Sequence, residues 1–485
     1  MHKIERYRST YSKPGIGIVH LGLGAFHRAH QAVYIERNLE RHGGGKWGVC
    51  SANIRSNRAL VDQLRMQDCR YHIAEYKDSE HVALREIAAI QEVLYAGKNG
   101  EDREVLLERM ANPDTRIITL TVTEKGYCLS PATGQLRTDD PGIAHDIRTP
   151  HAPQTAPGLL VEALRRRQTR GLAPFTVLCC DNMPDNGSRT RQAVTQLAAA
   201  QDERLAAWIS ETVAFPSSMV DRIVPAMTDA SFETLRQLDC EDSAAVIGEA
   251  FSQWVVEDHF PQGRPDWEKE GVQMVADVHP FETMKLRMLN GSHSLLAYIG
   301  ALAGHATVFD AINDPALLEL VRCYMEDEAM PTLDMPAGID LNAYAEDLVA
   351  RFRNDSLQHR LHQIAMDGSQ KLPQRWLSGT QEQLARGGSI SCVALGIASW
   401  IQYCSGQTAQ GSHEVNDPLR ETFHELHAHR QGEALVDGFL GLVDVFPAGL
   451  VEHAAFRLAV QEAHRVLSTQ GLQAALANVT HNNNH

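Results

Sequence analysis

The stretch Met284–Ile299 holds Lys285, Asn290 and His293 in a segment that is otherwise apolar nearly all round. On a helix of 3.6 residues per turn these three fall within an arc of roughly 140°. Met284, Leu286, Met288, Leu289, Leu295, Leu296 and Ile299 occupy most other directions, the pattern of a buried helix. A buried ammonium is costly unless it is paired or its pKa moves toward neutrality. Beside an amide and an imidazole, such a lysine makes an acid–base apparatus. The same pattern also fits a solvated helix face with the charge snorkelling outward.

Such a group needs elements to hold it and a reaction partner. Gly17–Leu21 reads as a short buried strand that runs into Gly22-Leu23-Gly24-Ala25-Phe26-His27-Arg28, followed by a helical pattern over Ala29–Leu39. Trp47–Asn53, Arg116–Thr123 and Pro174–Cys180 read as further strands, with helices over Arg58–Met66 and from the loop Asp181–Gly187 through Ala200. Strands alternating with helices imply βαβ units and a doubly wound α/β sheet of Rossmann type. Beyond about residue 280 helical periods dominate: Pro315–Asp327, Leu341–Phe352, Leu357–Met366, Thr380–Arg386, Ser389–Tyr403 and Val451–Ser468. The predicted organisation is a dinucleotide-binding domain over 1–280 and a mostly helical substrate domain over 281–485. The boundary falls near Val278-His279-Pro280, where proline discourages continuation of either element. The tail His481–His485 is predicted to lack structure.

Gly22-x-Gly24 between strand and helix fits the first turn of a dinucleotide fold. Gly22 permits the tight turn, Gly24 admits a pyrophosphate, and the helix N-terminus supplies N–H donors. The usual third glycine is replaced by His27, and the acidic residue expected after the second strand is missing from Ser51-Ala-Asn53-Ile-Arg55. Asn53 could bond a ribose hydroxyl and Arg55 could tolerate a 2′-phosphate, so NAD and NADP both remain open. Strand-end loops at Thr123-Glu124-Lys125-Gly-Tyr127 and Cys180-Asp181-Asn182 lie where α/β sheets bind ligands. Asn182 could donate to a polarised carbonyl or satisfy its own turn. Asp221-Arg222, an acid–base pair in an apolar run, reads first as an internal salt bridge and second as part of a site. Lys371 and Arg375 put two cations in a loop punctuated by glycine and proline, either as surface charges or as an anion-binding lip. No His/Cys/Asp cluster has convincing metal spacing, so the expected mechanism uses no metal.

Composition narrows the partners. The chain has 485 residues and a formal net charge of -16, and no Lys/Arg stripe that would bind nucleic acid is visible. The longest apolar run, Leu295–Gly304, falls short of the about 20 residues that span a bilayer. No apolar leader follows the charged N-terminus. Nine scattered cysteines read as reduced core thiols of a cytoplasmic protein.

Taken together, Gly22-Leu-Gly24-Ala-Phe-His-Arg-Ala-His30, Thr121-Val-Thr-Glu124, Cys180-Asp-Asn182, Met219-Val-Asp-Arg-Ile-Val-Pro225 and Lys285-x-x-x-x-Asn290-x-x-His293 resemble the long-chain mannitol dehydrogenase family of polyol and aldonate dehydrogenases. The similarity runs from about Gly15 to the last helices. Thr123–Tyr127 and Asp367–Arg375 look most like the branch that interconverts fructuronate and mannonate. The resemblance implies a nicotinamide cofactor, a small sugar-acid or polyol substrate, and an active site between two domains. It implies Lys285 as acid–base, Asn182 and Asn290 on the reacting oxygen, and His293 orienting substrate and lysine. The expected cofactor residues are Ile18, Gly22, Gly24, Ala25, Phe26, His27, Arg28, Asn53, Thr123, Glu124 and Asp221. Lys125, Lys371 and Arg375 are the expected partners of a substrate carboxylate. A monomer and a homodimer fit equally, and a non-catalytic NAD(H) sensor is the rival from another class.

Overall fold

The computed structural model describes residues 3–97, 100, 102–130, 133–356 and 359–482, with the backbone alone over the last three. They form two compact units, 1–279 and 280–485. No helix of the described residues is long and apolar enough to cross a membrane.

The first unit contains strands β1 (Lys3–Tyr7), β2 (Ile16–Leu21), β3 (Gly48–Asn53), β4 (Tyr71–Tyr76), β5 (His81–Ile87) and β6 (Ile90–Tyr95). It continues with β7 (Ile117–Leu120), β8 (Thr176–Cys179), β9 (Ser218–Asp221), β10 (Val246–Glu249), β11 (Gln253–Glu257) and β12 (Gln273–Val275). Five of these make the central sheet, in the order β6-β3-β2-β7-β8. Every pairing in it is parallel. Alternation along the strands divides the core between two faces. Val19, Leu21, Ile118, Leu120, Val177 and Cys179 pack under the helices Arg103–Ala111, Ala156–Thr169 and Asn186–Gln201. Ile18, Val49, Ile117 and Leu178 face the helices Gln31–His42 and Arg58–Met66. Both faces are thus buried, which explains the continuous apolar runs. The chain departs from β2 to β3 on one side and reaches β7 on the other, so the sheet is doubly wound with its switch point beside β2.

Two smaller sheets, β1-β5-β4-β10 and β12-β11-β9, complete this unit. Their short strands carry no long apolar period, and the sequence reading did not resolve them.

Among the described residues, the second unit is helical except for the hairpin Gln407–Thr408 and Gly411–Ser412. The helix Leu341–Phe352 has the bounds its periodicity predicts. Leu357, where another helix was expected to begin, lies outside the described residues, and the helix there runs over Leu361–Ala365. The tail prediction needs correction, because the last helix extends over Leu472–Asn482 and includes His481 and Asn482, while 483–485 lie outside the described residues.

The main departure from a regular helix is at the lysine. An α-helix over His279–Met284 passes into a π-helix over Lys285–Asn290, and an α-helix resumes over Gly291–Ala303. In a π segment each turn is wider and bonds run from i to i+5, so the arc drawn from a 3.6-residue period does not apply to Lys285 and Asn290. π-Bulges of this kind concentrate at functional sites.

Candidate active site

In the first unit the carboxyl ends of β2, β3 and β7 open into a cleft of about 660 Å³. Its lining includes Gly22, Gly24, Asn53, Arg55, Thr123 and Thr155. Gly22 has φ +110°, and a Cβ there would stand 2.1 Å from the carbonyl oxygen of Thr121. Only glycine fits that turn without displacing backbone. At Gly24 an added Cβ would meet nothing closer than Gly22 O at 3.8 Å, so the space beside it is open to a ligand. These two glycines suit a pyrophosphate passing close to the chain, as a bound dinucleotide requires.

Beneath the turn lies His20, fully buried. Its Nδ1 is 2.8 Å from Thr119 Oγ1, and its Nε2 is 2.9 Å from both Gly22 O and Thr121 Oγ1. The His27 ring stacks on it at 3.4 Å between centroids. Burial holds the His20 pKa down to about 3, and burial, with His20 beside it, holds His27 well below the ordinary imidazole range. Both rings are therefore neutral supports of the turn.

The loop after β7 is held by Asp181. Its carboxylate accepts hydrogen bonds from Val122 N (3.0 Å), Thr123 N (2.9 Å) and Tyr127 Oη (2.7 Å). Thr123 sits at φ +68°, a conformation that a non-glycine residue holds only where its surroundings dictate it. Burial raises the Asp181 pKa, and those three donors oppose the rise. The sequence reading passed over Asp181 because only the fold shows its carboxylate facing the previous strand's loop.

Several other expected cofactor residues are not among those lining that cleft. Ile18 is fully buried mid-strand, paired to β3 and β7, and has no surface to offer a ligand. His27 faces His20. Arg28 points inward, where its guanidinium donates to Ala244 O and lies over the Tyr71 ring. Ala25 and Phe26 begin a helix of five residues, half-buried, with Phe26 stacked against His30. Glu124 is exposed and pairs with Arg189 at 3.2 Å. Asp221 is buried at the end of β9, opposite Gln253. Its neighbour Arg222 pairs with Glu75 at 2.8 Å, which gives that arginine a partner the sequence reading did not foresee. Asn53 spends an amide hydrogen on Asn57 O at 3.3 Å. Asn182 and Lys125 are exposed in their strand-end loops.

The second unit gathers the residues on which the acid–base reading depends. Lys285 is 7% exposed and His293 9%. His293 packs against Phe352 at 4.8 Å and His359 at 5.5 Å, and its Nε2 is buried with no hydrogen-bond partner. A buried, unpaired ring nitrogen is a rare cost unless a ligand satisfies it. Burial holds the His293 pKa well down, reinforced by His359, Arg375, Arg351 and Lys285. The ring is therefore neutral, with positive charge around it.

Arg375 reaches from the π-helix Pro373–Leu377 to the lysine-bearing segment. Its Nη1 donates to Ser294 Oγ at 2.9 Å and to Asn290 O at 3.3 Å. It therefore positions Asn290 and brings a guanidinium to the cluster. Lys371 donates to the carbonyls of Ile364 and Met366, the latter at 2.5 Å, so part of its donor capacity is spent inside the fold. Burial, with Arg375 nearby, lowers its pKa. Arg287 points away and forms a two-pronged pair with Glu382 (2.9 and 2.7 Å). Arg351 and His359 were missed, because several helices separate them in sequence from the lysine-bearing segment and no motif marks them.

Comparison with known proteins identifies the family. The Mannitol dehydrogenase Rossmann domain matches residues 16–269, and the Mannitol dehydrogenase C-terminal domain matches 277–468. The D-mannonate oxidoreductase of Escherichia coli (strain K12) is 48% identical over 464 residues, covering 95% of each chain. The structure of a D-sorbitol dehydrogenase in substrate-free form aligns with TM-score 0.90 and 32% identity over 97% of each chain. The ternary complex of Pseudomonas fluorescens mannitol 2-dehydrogenase with NAD and D-mannitol aligns with TM-score 0.81 and 34% identity, over 98% of this chain and 96% of that one. The chain belongs to the mannitol dehydrogenase family, as an oxidoreductase that acts on a CH–OH group with a nicotinamide cofactor.

Proposed function

We propose that the protein catalyses the reversible reduction of D-fructuronate to D-mannonate with NADH, through a lysine acid–base. The observation that carries the substrate is the half-buried Arg375 guanidinium, held on Ser294 Oγ and Asn290 O beside the lysine-bearing segment, with Arg351 and Lys285 adding positive charge near His293. A carboxylate-bearing sugar suits that field, whereas an uncharged polyol gains nothing from it. The 48% identity with a D-mannonate oxidoreductase supports the same choice.

When bound, the nicotinamide supplies or accepts hydride at the carbon that becomes, or was, the carbonyl. The cleft at Gly22 and Gly24 holds the dinucleotide in this reading, with Asn53 toward the ribose. Of the two forms we favour NAD, although Arg55 lines the same cleft. Lys285 as ammonium gives its Nζ proton to the substrate oxygen during reduction, and as the neutral amine removes the hydroxyl proton during oxidation. Asn182 and Asn290 donate to that oxygen, an effect typically worth about 3 kcal/mol per donor. His293 Nε2 accepts or donates at a neighbouring sugar hydroxyl, which would satisfy the buried nitrogen. Arg375, with Arg351 and Lys371 behind it, takes the carboxylate, and Lys125 is a further candidate. A cytoplasmic location accords with nine unbridged cysteines.

The similarity to mannitol 2-dehydrogenase supports a second reading, a polyol dehydrogenase of the same family. Rates of NADH loss with fructuronate, tagaturonate and fructose separate the two. Preference for fructuronate is expected, and preference for fructose overturns the substrate assignment.

A further inference from the structure

Of the nine cysteines, eight are buried and Cys323 alone reaches partly to the surface. Its Sγ lies 3.1 Å from Sγ of Cys392, 69 residues further along the chain. Cys323 ends the helix Pro315–Cys323 and leads into the π-helix Tyr324–Ala329, while Cys392 is the second residue of the helix Ser391–Tyr403. Glu328, on that π-helix, is buried beside Cys392. Its carboxylate accepts from Cys392 N (2.6 Å) and Val393 N (2.9 Å). Burial raises the Glu328 pKa to about 7, where a carboxylate can take and release a proton near neutrality. Burial, with Cys323 and Glu328 beside it, keeps the Cys392 thiol protonated. Asp327 Oδ2, 3.7 Å from Cys323 Sγ, is the other acidic group at the pair.

We propose that Cys323 and Cys392 form a peroxide-oxidisable dithiol whose closure to a disulfide slows turnover. The sulfur of Cys323, the accessible member, attacks one oxygen of hydrogen peroxide. The O–O bond breaks, giving a sulfenic acid and water. The sulfur of Cys392 then attacks the Cys323 sulfur as its thiol proton passes to Glu328. The S–O bond breaks, and the departing hydroxide takes that proton and leaves as a second water. Two thiols and one peroxide thus give one disulfide and two waters. Closure brings the sulfurs from 3.1 Å to about 2.0 Å and pulls on the residue next to Tyr324. Tyr324 Oη donates to Arg287 O at 2.7 Å, within the π-helix that carries Lys285. It packs so closely on Gly291 that a Cβ there would stand 2.1 Å from that hydroxyl. A shift at Cys323 therefore reaches the catalytic segment through one side chain.

The test is peroxide treatment of the full chain followed by non-reducing peptide mapping, a readout that does not depend on which sugar the enzyme takes. The expected result is a Cys323–Cys392 cross-link with a several-fold loss of turnover, both reversed by a thiol reductant. Cys392→Ser should trap a dimedone-reactive sulfenic acid at Cys323, Cys323→Ser should keep its turnover under peroxide, and Glu328→Gln should slow the second step. The proposal is overturned if both thiols remain alkylatable after peroxide or if Cys323 oxidises without cross-linking. A cross-link that leaves turnover unchanged overturns the link through Tyr324.

Discussion

Replacing Arg375 by methionine tests the carboxylate assignment most directly, because the side chain has two separable tasks. The first is internal: Nη1 donates to Ser294 Oγ at 2.9 Å and, at the longer 3.3 Å, to Asn290 O. Bonds from an ionised donor contribute about 1.5–3 kcal/mol each, so the shared loss should be at most about 3–6 kcal/mol and should affect every substrate alike. The second task, in the proposed reaction, is a charge-assisted bond to the carboxylate from the donors that remain on the guanidinium. Such bonds contribute about 1.5–3 kcal/mol, and at about 1.4 kcal/mol per decade this is a further 10- to 150-fold in kcat/KM. Methionine keeps the length and apolar stem, which limits repacking. The assay measures kcat/KM for fructuronate and for fructose, which lacks the carboxylate, in both proteins. A fall for fructuronate that exceeds the fall for fructose by at least about tenfold is expected. Equal falls would mean that Arg375 only positions Asn290, and the reasoning from charge to substrate would fail.

Lys285→Ala should abolish turnover while leaving NADH binding, measured by fluorescence titration, nearly intact; retained turnover would refute the acid–base role. Gly22→Ala should lower the melting temperature and weaken cofactor binding together. Its Cβ meets backbone at 2.1 Å, and alanine at φ +110° costs at least about 1–2 kcal/mol. Gly24→Ala, with nothing nearer than 3.8 Å, should leave stability unchanged and weaken only the cofactor, so a destabilised Gly24→Ala would contradict the open cradle. The buried imidazoles predict the direction of acid sensitivity. His20 is held down to about 3, and His27 and His293 well below the ordinary value. As pH falls through about 6.5 the unfolded rings take protons that the folded ones refuse, so stability present above 6.5 should be lost toward pH 3. Each ring contributes up to about 1.4 kcal/mol per pH unit in that window. A melting temperature that stays flat from about pH 7 to about pH 5 would refute it.

Local patterns determined much of this protein. Gly22 and Gly24 mark the turn after β2 because a strand, a tight left-handed turn and a helix each leave a trace within a few residues. The buried strands β2, β3, β7 and β8 show as apolar runs for the same reason, and the apolar surround of Lys285 announced its burial. Tertiary structure decided what depends on partners distant along the chain. The 3.6-residue period put Lys285 and Asn290 on one side of the helix, and only the fold shows that the turn between them is a wider π turn. His27 and Arg28 read as cofactor contacts from the motif, and only the fold shows their side chains against His20 and Ala244. Arg222 took Glu75 as partner. Asp181, Arg351, His359 and the Cys323–Cys392 pair acquire meaning only when segments tens of residues apart meet. A sequence states hydrophobic period and turn chemistry directly, whereas the approach of two distant side chains follows from how whole elements pack.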